Sequence, residues 1–485
     1  MSISAERLAR IQEKATASSD FLARSIAKNG ITPIKDDPNM IKEYLSTKYT
    51  IDTGNGTNQA SSGRCWIYSA LNWMRTVRLK DYGKTFEYSQ NYVAFWDKFE
   101  RANHFLEMMC EVKGKDVNDQ ELQNVLARIF TDGGEWELFE NVVKKYGLVP
   151  KYAMPETGFS GASAGYMDIL KKRLKEGGGV LHKLLREAGN SPNAEVLEHV
   201  ESIKDQLLSE VYRVLVAYLG APPTDFLWKA PKVDAKKDEK KEDKKEANPV
   251  PAVEEKKEHE WQDTEEKPSS PEAPAASPVP ADASKKEESV KGLVIEEYRP
   301  FQRLTPLQFL EQSLFSFGEK VHLSHLPYHP EGRLLVAERV TNLYEGKRLQ
   351  AFNTNMSIIK NAVRASILAG QPVEIACEMR HADRTKFLLS EQNDKTAEIF
   401  GFDHRIVLDK GDELLYGVTS VAHGMVLIGC DDDPVAATAE GKHFCMYSIA
   451  YIRWFLPHTT SSVCLLVFST IHTVPFLLFT QERLV

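Results

Sequence analysis

Asn58-Gln59-Ala60-Ser61-Ser62-Gly63-Arg64-Cys65-Trp66 is the stretch on which the reading of this chain turns. A turn-forming Ser-Ser-Gly run delivers a cysteine to the start of a helical pattern, in which Trp66, Ala70, Met74 and Val77 recur at helical spacing and give the helix a face to bury. A thiol in the first turn of a helix meets unpaired backbone N–H groups and the positive end of the helix dipole, and both favour thiolate. A free cysteine is more often a small buried hydrophobe. This context instead makes Cys65 a candidate nucleophile, with Trp66 directly after it. Gln59 lies upstream, where the turn brings its amide beside the sulfur. Gln59 and the Cys65 backbone N–H are therefore candidate donors to an oxyanion.

The chain has 485 residues, enough for about two or three domains. Hydrophobic content of 42% and charged content of 27% fit a globular protein, and a net charge of −8 gives no reason to expect nucleic acid as an obligatory partner. Six cysteines, at 65, 110, 377, 430, 445 and 464, show no paired metal spacing and are too sparse for a disulfide scaffold. A reducing compartment, no metal and no cofactor are expected. Near the N-terminus, Glu6, Glu13 and Asp20 interrupt the basic residues and there is no apolar core of a secretory signal. Leu8, Ile11, Leu22 and Ile26 suit amphipathic helix instead. A cytoplasmic location is expected, with a mitochondrial one as the alternative.

Residues 66–220 read mostly as helix, with Gly133-Gly134, Pro150 and Gly177 to Gly179 as the breakers. From 231 to 291 the composition collapses into Lys, Glu, Asp, Pro, Ala and Ser. Between Lys232 and Lys267 ten lysines face thirteen acids; a polyampholyte of this kind cannot bury enough apolar area to order itself and reads as a disordered insertion. Structure resumes with a strand at Leu293 to Ile295 and a capped helix start at Thr305-Pro306-Leu307. A helix is predicted for 355–368, and strands for 372–377, 406–408 and 425–428. Four segments follow: 1–230, an N-terminal arm and helical lobe carrying the nucleophile; the insertion 231–291; 292–433, richer in sheet; and an atypical apolar tail, 434–485.

A thiolate nucleophile needs a base that holds its proton and delivers it to the leaving amine, and histidine has the suitable pKa. His423 opens the apolar run Gly424-Met425-Val426-Leu427-Ile428, in the sheet-rich half, so a helix-borne cysteine and a strand-borne histidine would face each other. Its rival, His404, has no such strand behind it.

Several separated blocks carry a family resemblance. They are Asn58 to Trp66; Ser89 to Tyr92 with Phe95 to Lys98 and Ala102-Asn103; Asp132-Gly133-Gly134-Glu135-Trp136; Lys145 to Lys151 with Pro155-Glu156-Thr157; Glu413 to Gly417; and His423 with its strand. In this order they resemble the bleomycin hydrolase and aminopeptidase C branch of the papain-like cysteine peptidases. The resemblance implies an α+β papain-like fold with a helical left lobe, a sheet-rich right lobe and an inserted hook segment. It implies Cys65 as nucleophile, His423 as general base and acid, Gln59 as oxyanion donor, and Gly133 and Gly134 as the place where substrate main chain approaches. It also implies peptides and small amides as substrates, homocysteine thiolactone among them, aminopeptidase action and a homohexamer.

The chain departs from the family downstream of the histidine. The family has an Asn-Ser-Trp-Gly block whose asparagine orients the imidazole, and from Gly424 to Val485 there is no asparagine. Three readings of the tail compete. Ser461 to Phe479 has about the minimum length of a membrane span, but serines, threonines, His472 and Pro475 dilute it. A tail that folds differently is the second reading. The favoured one is a shifted reading frame or unremoved intron after about Asp433. The expected function is a cysteine aminopeptidase; the alternative is a catalytically impaired relative acting as an oligomeric scaffold.

Overall fold

The segment after the Ser-Ser-Gly turn is helical because its apolar residues recur at helical spacing with no proline or glycine until Gly83, whose φ of 82° ends it. A computed structural model describes residues 3–15, 20–31, 49–229, 301–313, 317, 320–377, 382–383, 388–389, 396–403, 405–421, 423–430, 445–449, 452–456, 465–469 and 481–484. In chain order come helices α1 (Ala5–Ala15) and α2 (Asp20–Asn29), strand β1 (Tyr49–Thr50), α3 (Cys65–Tyr82), α4 (Gln90–Glu111), α5 (Gln120–Ala127), α6 (Trp136–Tyr146), α7 (Ala164–Ala188) and α8 (Ala194–Leu219). The helical half is thus as expected. Then follow β2 (Phe226–Trp228), β3 (Gln302–Leu304), α9 (Pro306–Gln312), β4 (Val321–Ser324), β5 (Arg333–Ala337), β6 (Leu349–Asn353), α10 (Met356–Leu368) and β7 (Val373–Cys377). The rest is β8 (Ala382–Asp383), β9 (Leu388–Leu389), α11 (Thr396–Phe400), α12 (Lys410–Leu415), β10 (His423–Cys430), β11 (Cys445–Ile449), β12 (Ile452–Leu456), β13 (Leu465–Ser469) and β14 (Gln481–Leu484).

The helix signals act locally. Thr305 caps α9 with a capping box to Gln308 and proline at the first helical position, and Asn355 caps α10 by accepting the Ile358 N–H. Two expectations are corrected. Gly177 to Gly179 do not break α7: a Cβ at Gly177 would meet Leu207 at 2.4 Å, and one at Gly178 would meet Phe105 at 2.8 Å. These glycines let α7 lie close against α8 and α4. Ile406 to Leu408 form no strand; Ile406 and Val407 are 83% and 72% exposed, and among the described residues no neighbour holds them in a ladder. The N-terminal segments are helical as expected, but Leu8 and Ile11 stay exposed. The insertion at 231–291, the strand expected at Leu293 to Ile295, and His404 lie outside the described residues.

Strands β14, β5, β6, β4, β13, β7, β10, β11, β12, β9 and β8 form one mixed sheet in that order, and β1 pairs with β10. Alternation along β7 and β10 divides the core between the sheet's two faces. Val373, Ile375 and Cys377 join Met425 and Leu427 beneath Ile359, Val363 and Ile367 of α10. Val426 and Ile428 point the other way, into the helical core with Trp66, Ile67, Phe95 and Phe139. The architecture is α+β, and β10 is the strand on which the two cores meet. α3 is buried on all sides from Trp66 to Arg75, rather than along the single face expected; the side chain of Val77 lies outside the described set. The described parts of the tail are strands. Over Leu465–Ser469 a strand replaces the membrane span considered above, and among the described residues no helix is long and apolar enough to cross a membrane.

Candidate active site

The turn before Cys65 is fixed from inside and outside. Asn58 Oδ1 accepts the Ala60 N–H at 2.8 Å, and Ala60 takes a positive φ of 52°. Ser62 Oγ donates to the Gln59 carbonyl at 2.7 Å, while Gln59 Nε2 donates to the Ser62 carbonyl at 2.8 Å. The Ser61 N–H donates to the Gly161 carbonyl at 2.9 Å, and the Gly63 N–H to Asp132 Oδ2 at 2.8 Å. Arg64, only 1% exposed, donates to Ser62 Oγ and forms a two-pronged pair with Glu156, which also accepts from Tyr68 and Ser160. The cysteine is thus held by the first residues of α3 and by three remote acceptors.

Cys65 is buried at 9% exposure, and its Sγ accepts a hydrogen bond from the Gly424 N–H at 3.3 Å. A Cβ at Gly424 would stand 3.3 Å from the Trp66 Cα. The glycine after His423 therefore lets β10 run against the first turn of α3. Burial pushes the Cys65 thiol up from its ordinary value; the Gly424 and Trp66 N–H groups pull it down, and the carboxyls of Glu135 and Glu374 push it up again. This corrects the expectation that the helix start would by itself lower the thiol pKa: desolvation outweighs the amides.

His423 starts β10, half-buried, paired across the ladder with Cys377. The residue that bonds the sulfur is its immediate neighbour. Gln59 is half-buried; its Nε2 holds Ser62 and keeps a second N–H, and its Oε1 has no hydrogen-bond partner among the described residues. Gly133 and Gly134 differ. A Cβ at Gly133 would meet nothing within 4 Å, whereas one at Gly134 would strike the Trp66 ring at 2.7 Å. Gly133 is open; Gly134 is a packing glycine under the indole.

Sequence reasoning missed the groups that support this turn. Asp132 anchors Gly63, accepts from Ser163 and pairs with the fully buried Lys98 at 3.0 Å, and its carbonyl accepts the Trp66 Nε1–H at 2.9 Å. Burial opposes its ionisation, but Lys98 and the donors around it hold its carboxyl below the usual range. Arg101 bridges Asp97, Thr131 and the Gly133 carbonyl, the last at 2.7 Å. The sequence signal for Asp132 and Lys98 is their place in the blocks quoted above, and Arg101 merely adjoins one of them. Among the described residues no cluster of His, Cys, Asp or Glu could hold a metal ion.

Residues 2–276 and 295–442 match the model of the Peptidase C1-like family. The chain belongs to that family. Its relatives include aminopeptidase E of Lactobacillus helveticus, 28% identical over 87% of this chain and 84% of that protein. Aminopeptidase C of Listeria monocytogenes is 26% identical over 84% of this chain and 77% of its own length. Bleomycin hydrolase of Gallus gallus is 27% identical over 76% of this chain and 69% of its own. The crystal structure of PepW from Lactobacillus rhamnosis superposes with a TM-score of 0.73 at 23% identity, covering 96% of this chain and 92% of that one. The resemblance to the aminopeptidase C and bleomycin hydrolase branch, the α+β papain-like fold and the assignment to the cysteine peptidases are thereby borne out.

Proposed function

We propose that the protein is a cysteine aminopeptidase that hydrolyses peptides and small amides through Cys65 and His423. One observation carries this reading: the Gly424 N–H bonds the Cys65 sulfur, so the strand that begins with His423 passes at hydrogen-bonding distance from the buried thiol. The Cys65 proton passes to the His423 imidazole, and the sulfur attacks the amide carbonyl carbon. The oxyanion takes hydrogen bonds from the Cys65 N–H and the second N–H of Gln59 Nε2. His423 returns the proton to the leaving amine, the acyl group remains on sulfur, and water deprotonated by His423 releases it. The open surface at Gly133 offers main chain to an extended substrate. Burial disfavours charge on the thiol, so an imidazolium partner is what makes the thiolate accessible. Homocysteine thiolactone belongs to the same reaction class, since its ring thioester presents an acyl carbon, a thiol leaving group and a free amine. A cytoplasmic setting and a homohexamer are part of this reading.

The test is stoichiometric alkylation of Cys65 by iodoacetamide together with hydrolysis of aminoacyl-arylamides. Cys65→Ala is expected to lower kcat/KM by at least about 10³-fold. Hydrolysis surviving in that variant overturns the mechanism. A well-folded wild type without turnover favours the impaired scaffold, the reading that the missing asparagine after His423 supports.

A further inference from the structure

Behind the thiol lies a group of ionisable side chains that the proposed reaction does not use. Glu374, on β7, turns away from the α10 side of the sheet and reaches α3, where its Oε1 lies 2.5 Å from Ser69 Oγ; its Oε2 has no hydrogen-bond partner among the described residues. Ser69 Oγ also lies 3.1 Å from the Trp66 carbonyl, and it packs against the Gly424 position at 3.6 Å. A serine hydroxyl has one hydrogen. The Trp66 carbonyl can only accept, so if Ser69 donates to it, the short contact to Glu374 needs a hydrogen from the carboxyl. That count closes for a neutral acid, whereas a carboxylate would take the Ser69 hydrogen and leave the Trp66 carbonyl without it. With Glu374 only 4% exposed and its Oε2 unpaired among the described residues, the site favours the neutral acid.

We propose that Glu374 is a positioning residue for Cys65: a neutral carboxylic acid whose hydrogen completes a Glu374–Ser69–Trp66 relay, and whose ionisation at alkaline pH opposes formation of the Cys65 thiolate. The assignment of Cys65 as the reacting group rests on the function proposed above. The groups facing Glu374 are Ser69 and Cys65 from α3, Glu135 and Glu137 at the start of α6, and Lys320; one step further out, His322 on β4 places its Nδ1 3.3 Å from Glu137. Lys320 sits over the indoles of Trp73 and Trp136, 3.7 and 3.1 Å from their centroids. Burial pushes the Glu374 carboxyl up to about 8 despite Ser69 and Lys320, which pull it down. Once ionised, the carboxylate claims the Ser69 hydrogen and releases the Trp66 carbonyl. It also places a buried negative charge behind the sulfur, so the thiol holds its proton more tightly.

The experiment compares wild type, Glu374→Gln and Glu374→Leu. The amide of Glu374→Gln donates to Ser69 as the acid does but cannot ionise. Iodoacetamide alkylation of Cys65 is followed from pH 6 to pH 10, alongside kcat/KM for an aminoacyl-arylamide. The Gln variant is expected to match wild type within about 2-fold near pH 6.5 and exceed it by about 10-fold near pH 9.5, the effect of one pKa unit. The Leu variant, lacking the hydrogen bond, is expected to be slower throughout. Superimposable wild-type and Gln profiles, or a Gln variant as slow as Leu at every pH, overturn the proposal. A second measurement uses infrared spectra. Burial also pushes the Glu135 carboxyl up to about 8, so the wild-type minus Glu374→Gln difference should show a protonated-carboxyl band at pH 7 that fades by pH 9.5, and its absence from that difference at pH 7 overturns the proposal. If alkylation differs as expected while neither protein hydrolyses the arylamide, Glu374 keeps its role and the aminopeptidase reading fails.

Discussion

The backbone N–H of Gly424 lies 3.3 Å from the sulfur of Cys65, although 359 residues separate them in sequence. This contact joins the helix that offers the thiol to the strand that offers the histidine. It depends on a residue without a side chain.

Gly424→Ala tests that dependence. The added methyl would lie 3.3 Å from the Trp66 Cα and 3.4 Å from its nitrogen, backbone atoms that cannot rotate aside. β10 must then shift away from α3. The expected cost is about 1–3 kcal/mol of stability, and because small misplacements of reacting groups are expensive, kcat/KM should fall by about 10- to 100-fold with KM little changed. Thermal unfolding and steady-state kinetics on the same preparation check both.

Gly133→Ala and Gly134→Ala should separate substrate approach from packing. At Gly134 the new methyl strikes the Trp66 indole at 2.7 Å, and the indole cannot yield without straining its bond to the Asp132 carbonyl. That variant is expected to lose about 1–3 kcal/mol, read as a lower midpoint in urea. At Gly133 the methyl meets open space. Stability should be unchanged there, and any effect should appear in KM for peptides. A large stability loss at Gly133 would remove it from the substrate surface.

Much of this architecture is legible in the sequence because its signals are local. The helix from Cys65, the capping box at Thr305, the Asn355 cap and the apolar runs of β7 and β10 each announce themselves within a few residues. What escaped depends on partners far away in the chain. Gly177 and Gly178 read as breakers until Leu207 and Phe105 are seen against them, and Ile406 to Leu408 look like a strand until they are found exposed, with no ladder partner among the described residues. The site divides in the same way. Cys65 and His423 were nameable from their own surroundings; Asp132, Arg101 and Glu374 act through contacts that no spacing rule encodes. The thiol's raised pKa was missed for the same reason, because desolvation depends on the whole packed environment.

Asp132→Asn gives a pH signature. Burial disfavours its charge, but Lys98, Ser163 and the Gly63 N–H together hold the folded pKa below the value of about 3.9 in the unfolded chain. A depressed carboxyl contributes stability that is fully present above the unfolded pKa and is lost as pH falls through the folded one. Wild type should therefore lose stability below about pH 4 more steeply than the variant. At pH 7 the variant should be weaker by about 1–3 kcal/mol, since Lys98 loses the 20% exposed Asp132 carboxylate but keeps the buried Asp97 carboxylate at 3.0 Å. Urea unfolding at pH 7, 5 and 3 measures the gap, which must narrow with acidity.

Arg64→Met addresses the pair directly behind the nucleophile. Arg64 is 1% exposed and Glu156 is 27% exposed, so removing the guanidinium strands a carboxylate that water can only partly reach. Tyr68 and Ser160 still donate to Glu156, which moderates the penalty. The expected loss is about 2–4 kcal/mol, at or below the range for breaking a fully buried pair. Arg64→Met with Glu156→Gln should be more stable than Arg64→Met alone, because the second change removes the uncompensated charge. The cycle through the two single variants and the double then gives a coupling energy of at least about 1 kcal/mol. Both Met-containing proteins should alkylate more slowly at Cys65, since Arg64 also holds Ser62 and with it the turn that aims the thiol. Unchanged alkylation in a destabilised Arg64→Met protein would show that the pair supports the fold without setting the position of the sulfur.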